Sequence, residues 1–266
     1  MAAGARPVAG GTDLVVGARH GKAPLPAEVV AIDRLQPLTH VGPTDTGLLI
    51  GSLVSHHAIE HHHVIRTTVP ALADASALVG SPATRHVGTI GGNVMNAATC
   101  ADTVPALVAL GAEALLRSGR GERRIPLAKL FPRPYETTAE PDELLVALRF
   151  APLAEGTRSA FLKLGRRNAL SISRLSVAAV VRTGADGRIT EARIVPGAAF
   201  PTWQRVTAAE ELLLGERPSE RVFREAGTRA SHEMIRQTGR RWSTEYKEPV
   251  LAVLVRRALE QLQEKA

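Results

Sequence analysis

Two glycine pairs, Gly10-Gly11 and Gly91-Gly92, constrain this chain more than anything else in it. Each adjoins small hydrogen-bonding residues: Thr12 and Asp13 follow the first pair, and Thr89 and Asn93 bracket the second. Glycine lacks a Cβ and tolerates positive φ, so such segments let backbone N–H groups approach an anion closely. A dinucleotide pyrophosphate needs that approach, whereas an ordinary tight turn is the plain alternative for either pair taken alone. Neither string matches G-x-G-x-x-G or G-x-x-x-x-G-K-[ST], so the Rossmann and P-loop readings lose their main support.

The pattern around the pairs predicts their setting. Residues 7–9 read as a short strand running into Gly10-Gly11, after which Thr12 or Asp13 can cap a helix to about His20, with a second strand over 29–33. From Thr39 short β segments begin, including 48–50, followed by helices over 56–64 and 70–79. Residues 81–98 carry Gly88, Gly91 and Gly92 without helical period and read as a loop. A helix follows over 102–110, its Pro105 tolerated in the first turn, then strands over 113–117 and 144–150. Residues 152–156 resemble a linker. Beyond it, strands over 160–164, 177–182 and 189–195 are predicted, the last two joined by an Asp186-Gly187 hairpin. The C-terminal third is helical and ends in an apolar stripe of Leu251, Leu254, Val255, Ala258, Leu259 and Leu262.

Composition narrows the class. The 266 residues are 44% hydrophobic and 22% charged, ordinary for a folded chain of about two domains. No apolar run approaches the roughly 20 residues of a membrane span, and the first residues lack a signal-peptide core, so a cytoplasmic protein is expected. The single cysteine, Cys100, excludes an internal disulfide and the usual Cys₄ set of an iron–sulfur cluster. A net charge of +7 raises nucleic acid as a partner, but aromatic residues make up only 3% and no zinc finger or long basic run occurs. A surface for an anionic cofactor or an acidic protein explains the arginines between residues 156 and 205 equally well, and no nucleic acid is expected.

Other residues carry two readings each. Asp102 opens a predicted helix and is either a cap or a ligand contact. Asn96 is loop scaffold or ligand contact. His56, His57, His61, His62 and His63 cluster, with His57 and His61 at i,i+4 spacing, yet H-E-x-x-H is absent and a solvated helix end is the expectation. Cys100 reads as a small buried thiol. Ser171, Ser173 and Ser176 lie outside any nucleophile elbow. Tyr135, among Pro132, Pro134 and Pro141, reads as a loop anchor, with approach to a bound cofactor as the alternative.

The strings Pro7-Val8-Ala9-Gly10-Gly11-Thr12-Asp13-Leu14 and Gly88-Thr89-Ile90-Gly91-Gly92-Asn93, with Asp102 and Pro105-Ala106-Leu107 after them, resemble the FAD-binding medium subunit of the xanthine dehydrogenase and carbon monoxide dehydrogenase family of molybdenum hydroxylases. The resemblance continues through Ile125-Pro126-Leu127, Glu143-Leu144-Leu145, Phe161-Leu162-Lys163-Leu164-Gly165-Arg166-Arg167, Ser176-Val177-Ala178-Ala179 and Thr244-Glu245-Tyr246-Lys247, so it covers nearly the whole chain.

That resemblance implies an α+β protein: a PCMH-type FAD-binding fold of two α+β subdomains at about 1–36 and 37–153, then a C-terminal domain of a small antiparallel sheet with helices over 157–266. The two loops, from Pro7 to Leu14 and from Thr89 to Asn93 with Asn96, would hold FAD. Asp102 would contact its sugar-like portion, and Leu145 and Lys163 would lie beside the flavin ring, where core packing and a solvated strand edge are their respective alternatives. Family members carry a further strand and helix before the first glycine loop, where only eight residues precede Ala9, so a trimmed first subdomain is expected. No catalytic acid, base or metal ligand is implied in this chain. The molybdenum cofactor and 2Fe–2S clusters would belong to a large and a small partner subunit, with NAD or another acceptor receiving the electrons. Gly165-Arg166-Arg167-Asn168-Ala169-Leu170 with Ile172 and Ser173 leans toward relatives acting on purines or other N-heterocycles. Two rivals are a stand-alone flavin oxidoreductase of the same fold and a flavin-free scaffold or nucleic-acid-binding protein.

Overall fold

The computed structural model describes residues 5–21, 24–45, 47–167 and 169–264; Asn168 lies outside them. The chain opens as expected with β1 (Arg6–Val8), α1 (Thr12–Arg19) and β2 (Val29–Ala31), the two strands pairing in parallel. A parallel pair needs a crossover, and α1 supplies it. This unit is thin: α1 buries no residue, and Val15, Val16, Val29 and Val30 are all exposed. Ala9 and Ile32 pack against Leu38, Leu53 and Val146, which ties the unit to the next layer.

That layer is a five-stranded antiparallel sheet of β3 (Val41–Thr44), β4 (Gly47–Gly51), β5 (Glu113–Ser118), β6 (Gly121–Pro126) and β7 (Leu144–Phe150), in the order β3-β4-β7-β5-β6. β6 had no strand signal because it is an edge whose Gly121-Glu122-Arg123-Arg124 stretch faces largely outward. Between β4 and β5 the chain makes α2 (His56–His61), α3 (His63–Thr68), α4 (Pro70–Ala77), α5 (Pro82–Val87), α6 (Ile90–Asn96) and α7 (Thr103–Ala109). The single helix expected over 56–64 is thus two, broken where His62 turns extended at ψ 117°.

The segment 81–98, read as a loop, instead contains α5 and α6. Both start from a side-chain cap, Ser81 Oγ accepting from the Thr84 N–H and Thr89 Oγ1 from the Gly92 N–H. Six or seven residues are too few for a helical period to register. Burial of Ile90 and Val94 outweighs the poor helix propensity of Gly91-Gly92.

The C-terminal half is a three-stranded antiparallel sheet, β8 (Thr157–Leu164), β9 (Leu175–Thr183) and β10 (Ile189–Gly197), ordered β10-β9-β8, with Gly187 at φ 77° in the expected hairpin. It is followed by α8 (Thr207–Glu210), α9 (Glu220–Thr238) and α10 (Thr244–Glu264). Alternation along β9 sends Ala178 and Val180 to one face and Val177, Ala179 and Val181 to the other. The first set joins Leu72, Val104 and Leu107 in one hydrophobic cluster; the second joins Leu251, Val255, Ala258 and Leu259 of the C-terminal stripe. The apolar core therefore crosses the stretch that reads as a linker, and this sheet is a shared middle layer. Among the described residues no helix is long and apolar enough to cross a membrane.

α9 and α10 meet at a glycine. A Cβ on Gly227 would sit 2.3 Å from the Ala252 carbonyl oxygen. Replacing Gly227 by valine forces the helices apart, and we expect a loss of about 1–3 kcal/mol, read as a lower urea midpoint at unchanged m-value.

Candidate functional site

The first glycine loop is built around two different demands on its glycines. Gly11, at φ 64°, takes the left-handed conformation and is itself the N-cap of α1, with no side chain capping the helix. The expected cap by Thr12 or Asp13 is thus absent, because the turn needs positive φ at the residue before the helix and glycine takes that position. Gly10 answers a contact: a Cβ there would fall 2.0 Å from the Val87 carbonyl oxygen. The contact clamps the first loop against the end of α5. Among the described residues no hydrogen bond occupies the N–H of Gly10, Gly11, Thr12, Asp13 or Leu14. Open amides at the positive end of a helix dipole suit a phosphate-type anion. Pro7 and Val8 lie in β1 immediately before this turn, and Ala9 packs inward.

The second pair does not offer the same donors. Ile90 N–H donates to Val54 O at 3.0 Å, Gly91 N–H to Ser52 O at 2.9 Å, Gly92 N–H to Thr89 Oγ1 at 3.1 Å and Asn93 N–H to Thr89 O at 3.0 Å. The expectation that Gly91 and Gly92 present free amides is therefore corrected. Gly91 is buried and a Cβ on it would meet Ser52 at 2.6 Å, so its glycine serves packing. Gly92 is exposed, and its added Cβ would meet only Thr89 Oγ1, at 3.1 Å. It leaves a bare backbone face. Asn93 Oδ1 accepts from Thr103 Oγ1 at 2.7 Å, binding α6 to α7. Asn96, half-buried, ends α6 where Ala97 turns left-handed at φ 49°.

Asp102 stands at the head of α7 but makes no cap hydrogen bond. Its Oδ2 pairs with Lys163 Nζ at 2.6 Å, and Ser173 Oγ donates to its Oδ1 at 2.5 Å. Lys163 also donates to Leu78 O at 2.8 Å. With side chains only 6% and 9% exposed, the pair excludes both the simple cap and the solvated lysine. Burial pushes the Asp102 carboxyl up, against the pull of Lys163 and Ser173. Separating such a pair would leave a buried charge, a cost of about 3–5 kcal/mol. Ser173 carried no local signal, since the residues that meet it are far away in sequence.

Cys100 is half-buried, and burial followed by the nearby Asp102 charge pushes its thiol up, so it stays protonated rather than reactive. Burial, then Cys100 and Asp13, likewise push the Tyr135 phenol up. Asp13 acts on both groups, which places the first loop, the 97–102 segment and Tyr135 on one face. Among the described residues Tyr135 is an anchor through its backbone, its N–H donating to Ala97 O at 2.9 Å; at φ 63° the residue is 65% exposed. Leu145 and Ile90 are not brought to this face by their side chains, because both lie in the hydrophobic core.

Beneath the second loop sits His56, only 2% exposed, its N–H donating to Gly88 O at 3.0 Å and its Nδ1 unpartnered among the described residues. The expected solvated histidine cluster thus has one member inside the protein. Burial, and then Arg85, lower its pKa to about 4 from 6.5. The folded chain keeps His56 neutral while the unfolded chain takes up a proton. Its contribution is complete above pH 6.5 and is lost as pH falls toward about 4, by roughly 3 kcal/mol in all. In His56→Phe, unfolding free energies from denaturant melts between pH 6.5 and 4.5 should lose about 1.4 kcal/mol per pH unit of the parent's acid slope.

Residues 2–152 match the family model for the FAD binding domain in molybdopterin dehydrogenase, and residues 160–262 that for the CO dehydrogenase flavoprotein C-terminal domain. The chain is 33% identical over 211 residues to the nicotinate dehydrogenase FAD-subunit of Eubacterium barkeri, covering 78% of this chain and 71% of the relative. It is 28% identical over 264 residues to the carbon monoxide dehydrogenase medium chain of Afipia carboxidovorans, covering 98% and 90%. The solved carbon monoxide dehydrogenase of Hydrogenophaga pseudoflava matches with a TM-score of 0.91 at 26% identity, over 99% of this chain and 91% of that one. With both family models spanning nearly its whole length, the chain belongs to the FAD-binding medium subunits of the molybdenum hydroxylases, a family of oxidoreductases.

Proposed function

We propose that this chain holds FAD as the electron relay of a three-part molybdenum hydroxylase. The row of open amides from Gly10 to Leu14 at the head of α1 carries this reading, because it offers a pyrophosphate consecutive unspent donors beside the end of α5. Thr12 would add its hydroxyl. Thr89, the bare face at Gly92 and the polar groups of Asn93 and Asn96 would form the facing wall, and Asp102, oriented by Lys163 and Ser173, would meet the cofactor's sugar-like portion. Leu145 would contribute through its backbone, its side chain being in the core. Bound FAD supplies the redox chemistry, and the protein's part is to place it and exclude water.

The partners in this proposal are a large subunit carrying the molybdenum cofactor and a small subunit carrying 2Fe–2S clusters, in a cytoplasmic complex that passes electrons to NAD or another acceptor. The lone Cys100 supports clusters held elsewhere. The relative named as a nicotinate dehydrogenase subunit, and one from Escherichia coli O157:H7 named as a xanthine dehydrogenase FAD-binding subunit, 32% identical over 209 residues, support a purine or another N-heterocycle as the oxidised substrate. We take the flavin part as 1–153, with subdomains about 1–36 and 37–153, and the C-terminal part as 157–266. A stand-alone flavin oxidoreductase is less favoured, since it needs an acid or base at the flavin and Asp102 and Lys163 neutralise each other.

Gly92→Val tests the cofactor loop. Its exposed position leaves the fold intact, so we expect an unchanged thermal transition with FAD content reduced at least about tenfold, whereas undiminished flavin absorbance would refute the assignment. The complex itself is tested by metal analysis of the chain purified from its native cells. Molybdenum and iron should co-purify with FAD, and substrate-dependent bleaching of the isolated chain would favour the stand-alone enzyme.

A further inference from the structure

In the stretch His57-Ala58-Ile59-Glu60-His61 on α2, Ile59 belongs to the apolar core, but the side chains of His57, Glu60 and His61 serve neither the core nor the cofactor loops. The stretch reads H-x-x-E-H, the reverse order of the zinc-helix string H-E-x-x-H, and it puts two imidazoles at i,i+4 with a carboxylate between them. The ligand atoms of His57, Glu60 and His61 all lie within 4.8 Å of one another. A tetrahedral ion with bonds of about 2.1 Å holds its ligand atoms about 3.4 Å apart, so small side-chain rotations close the set.

The groups around these ligands are those a metal helix needs. Metal-binding histidines give their other ring nitrogen to a carbonyl, and ligating carboxylates are themselves hydrogen-bonded. His61 Nδ1 lies 2.9 Å from His57 O, so with the proton on Nδ1 its Nε2 is left to face an ion. Arg85 Nε holds Glu60 Oε2 at 2.8 Å, and no bond among the described residues engages Oε1. The His57 ring stacks on His86 of α5 at 3.7 Å, which fixes its plane. His57 and Glu60 are half-buried and His61 is exposed, so an ion can enter from solvent.

We propose that His57, Glu60 and His61 form a binding site for one divalent transition cation of the zinc class, with water completing its coordination. The site is distinct from the flavin cleft but adjoins it mechanically: His86 precedes Val87, whose carbonyl meets Gly10, so an ion that locks His57 also braces α5 behind the first loop.

The test is calorimetric titration of Zn²⁺ into the FAD-loaded full chain, free of any affinity tag. One site per chain is expected, with affinity weakened at least about tenfold in His57→Gln and in His61→Gln, less in Glu60→Gln, and unchanged in the neighbouring control His63→Gln. Zn²⁺ should raise the melting temperature of the parent and of His63→Gln but not of the double variant His57→Gln/His61→Gln. Flavin content equal to the parent's would show that the double variant folds. No saturable binding, or binding that survives in the folded double variant, would overturn the site and mark the zinc as adventitious.

Discussion

A carboxylate and an ammonium group buried together 2.6 Å apart, Asp102 and Lys163, hold the two halves of this molecule in one arrangement. Asp102 opens α7 in the N-terminal half, and Lys163 lies on β8 in the C-terminal half. The lysine reaches on to the carbonyl of Leu78 at the end of α4, while Ser173, next to the start of β9, closes the carboxylate's other oxygen. Neither charge tolerates burial without the other. The pair therefore fixes a register that the apolar contacts between β9, α4 and α7 would leave less specific, since hydrophobic packing is non-directional.

The glycines of the two loops, alike in sequence, do different physical work. Gly11 is required by positive φ, Gly10 by the Val87 carbonyl and Gly91 by Ser52, whereas Gly92 lies exposed with only the Thr89 hydroxyl near its missing Cβ. The accounting of amide donors divides the loops in the same way. The first ends in unspent N–H groups at a helix terminus, and the second spends its own on Ser52, Val54 and Thr89. One loop is suited to charge recognition and the other to shape.

Much of the frame was legible in the residues. The strand–glycine–helix–strand opening, the β4, β5 and β7 strands, the C-terminal hairpin and the apolar stripe of α10 follow from patterns with enough length or turn chemistry to register. The misread elements are short or at an edge. α5 and α6 arise from single caps at Ser81 and Thr89, β6 has one paired side, and the break at His62 is a single ψ angle. None of these produces a periodic signal.

For the site, local chemistry in the sequence marked Gly10 to Asp13 and Thr89 to Asn93 as candidates and left Asp102 between a cap and a contact, because glycine's missing Cβ and the side chains' donors and acceptors belong to the residues themselves; Lys163 entered through the family resemblance alone. The tertiary structure decided how those groups are used. It spent the second loop's amides, paired Asp102 with Lys163 and Ser173, drew Leu145 and Ile90 into the core and put His56 under Gly88. Those outcomes depend on which distant segment lies opposite each group, and that is set only when the sheets and helices pack.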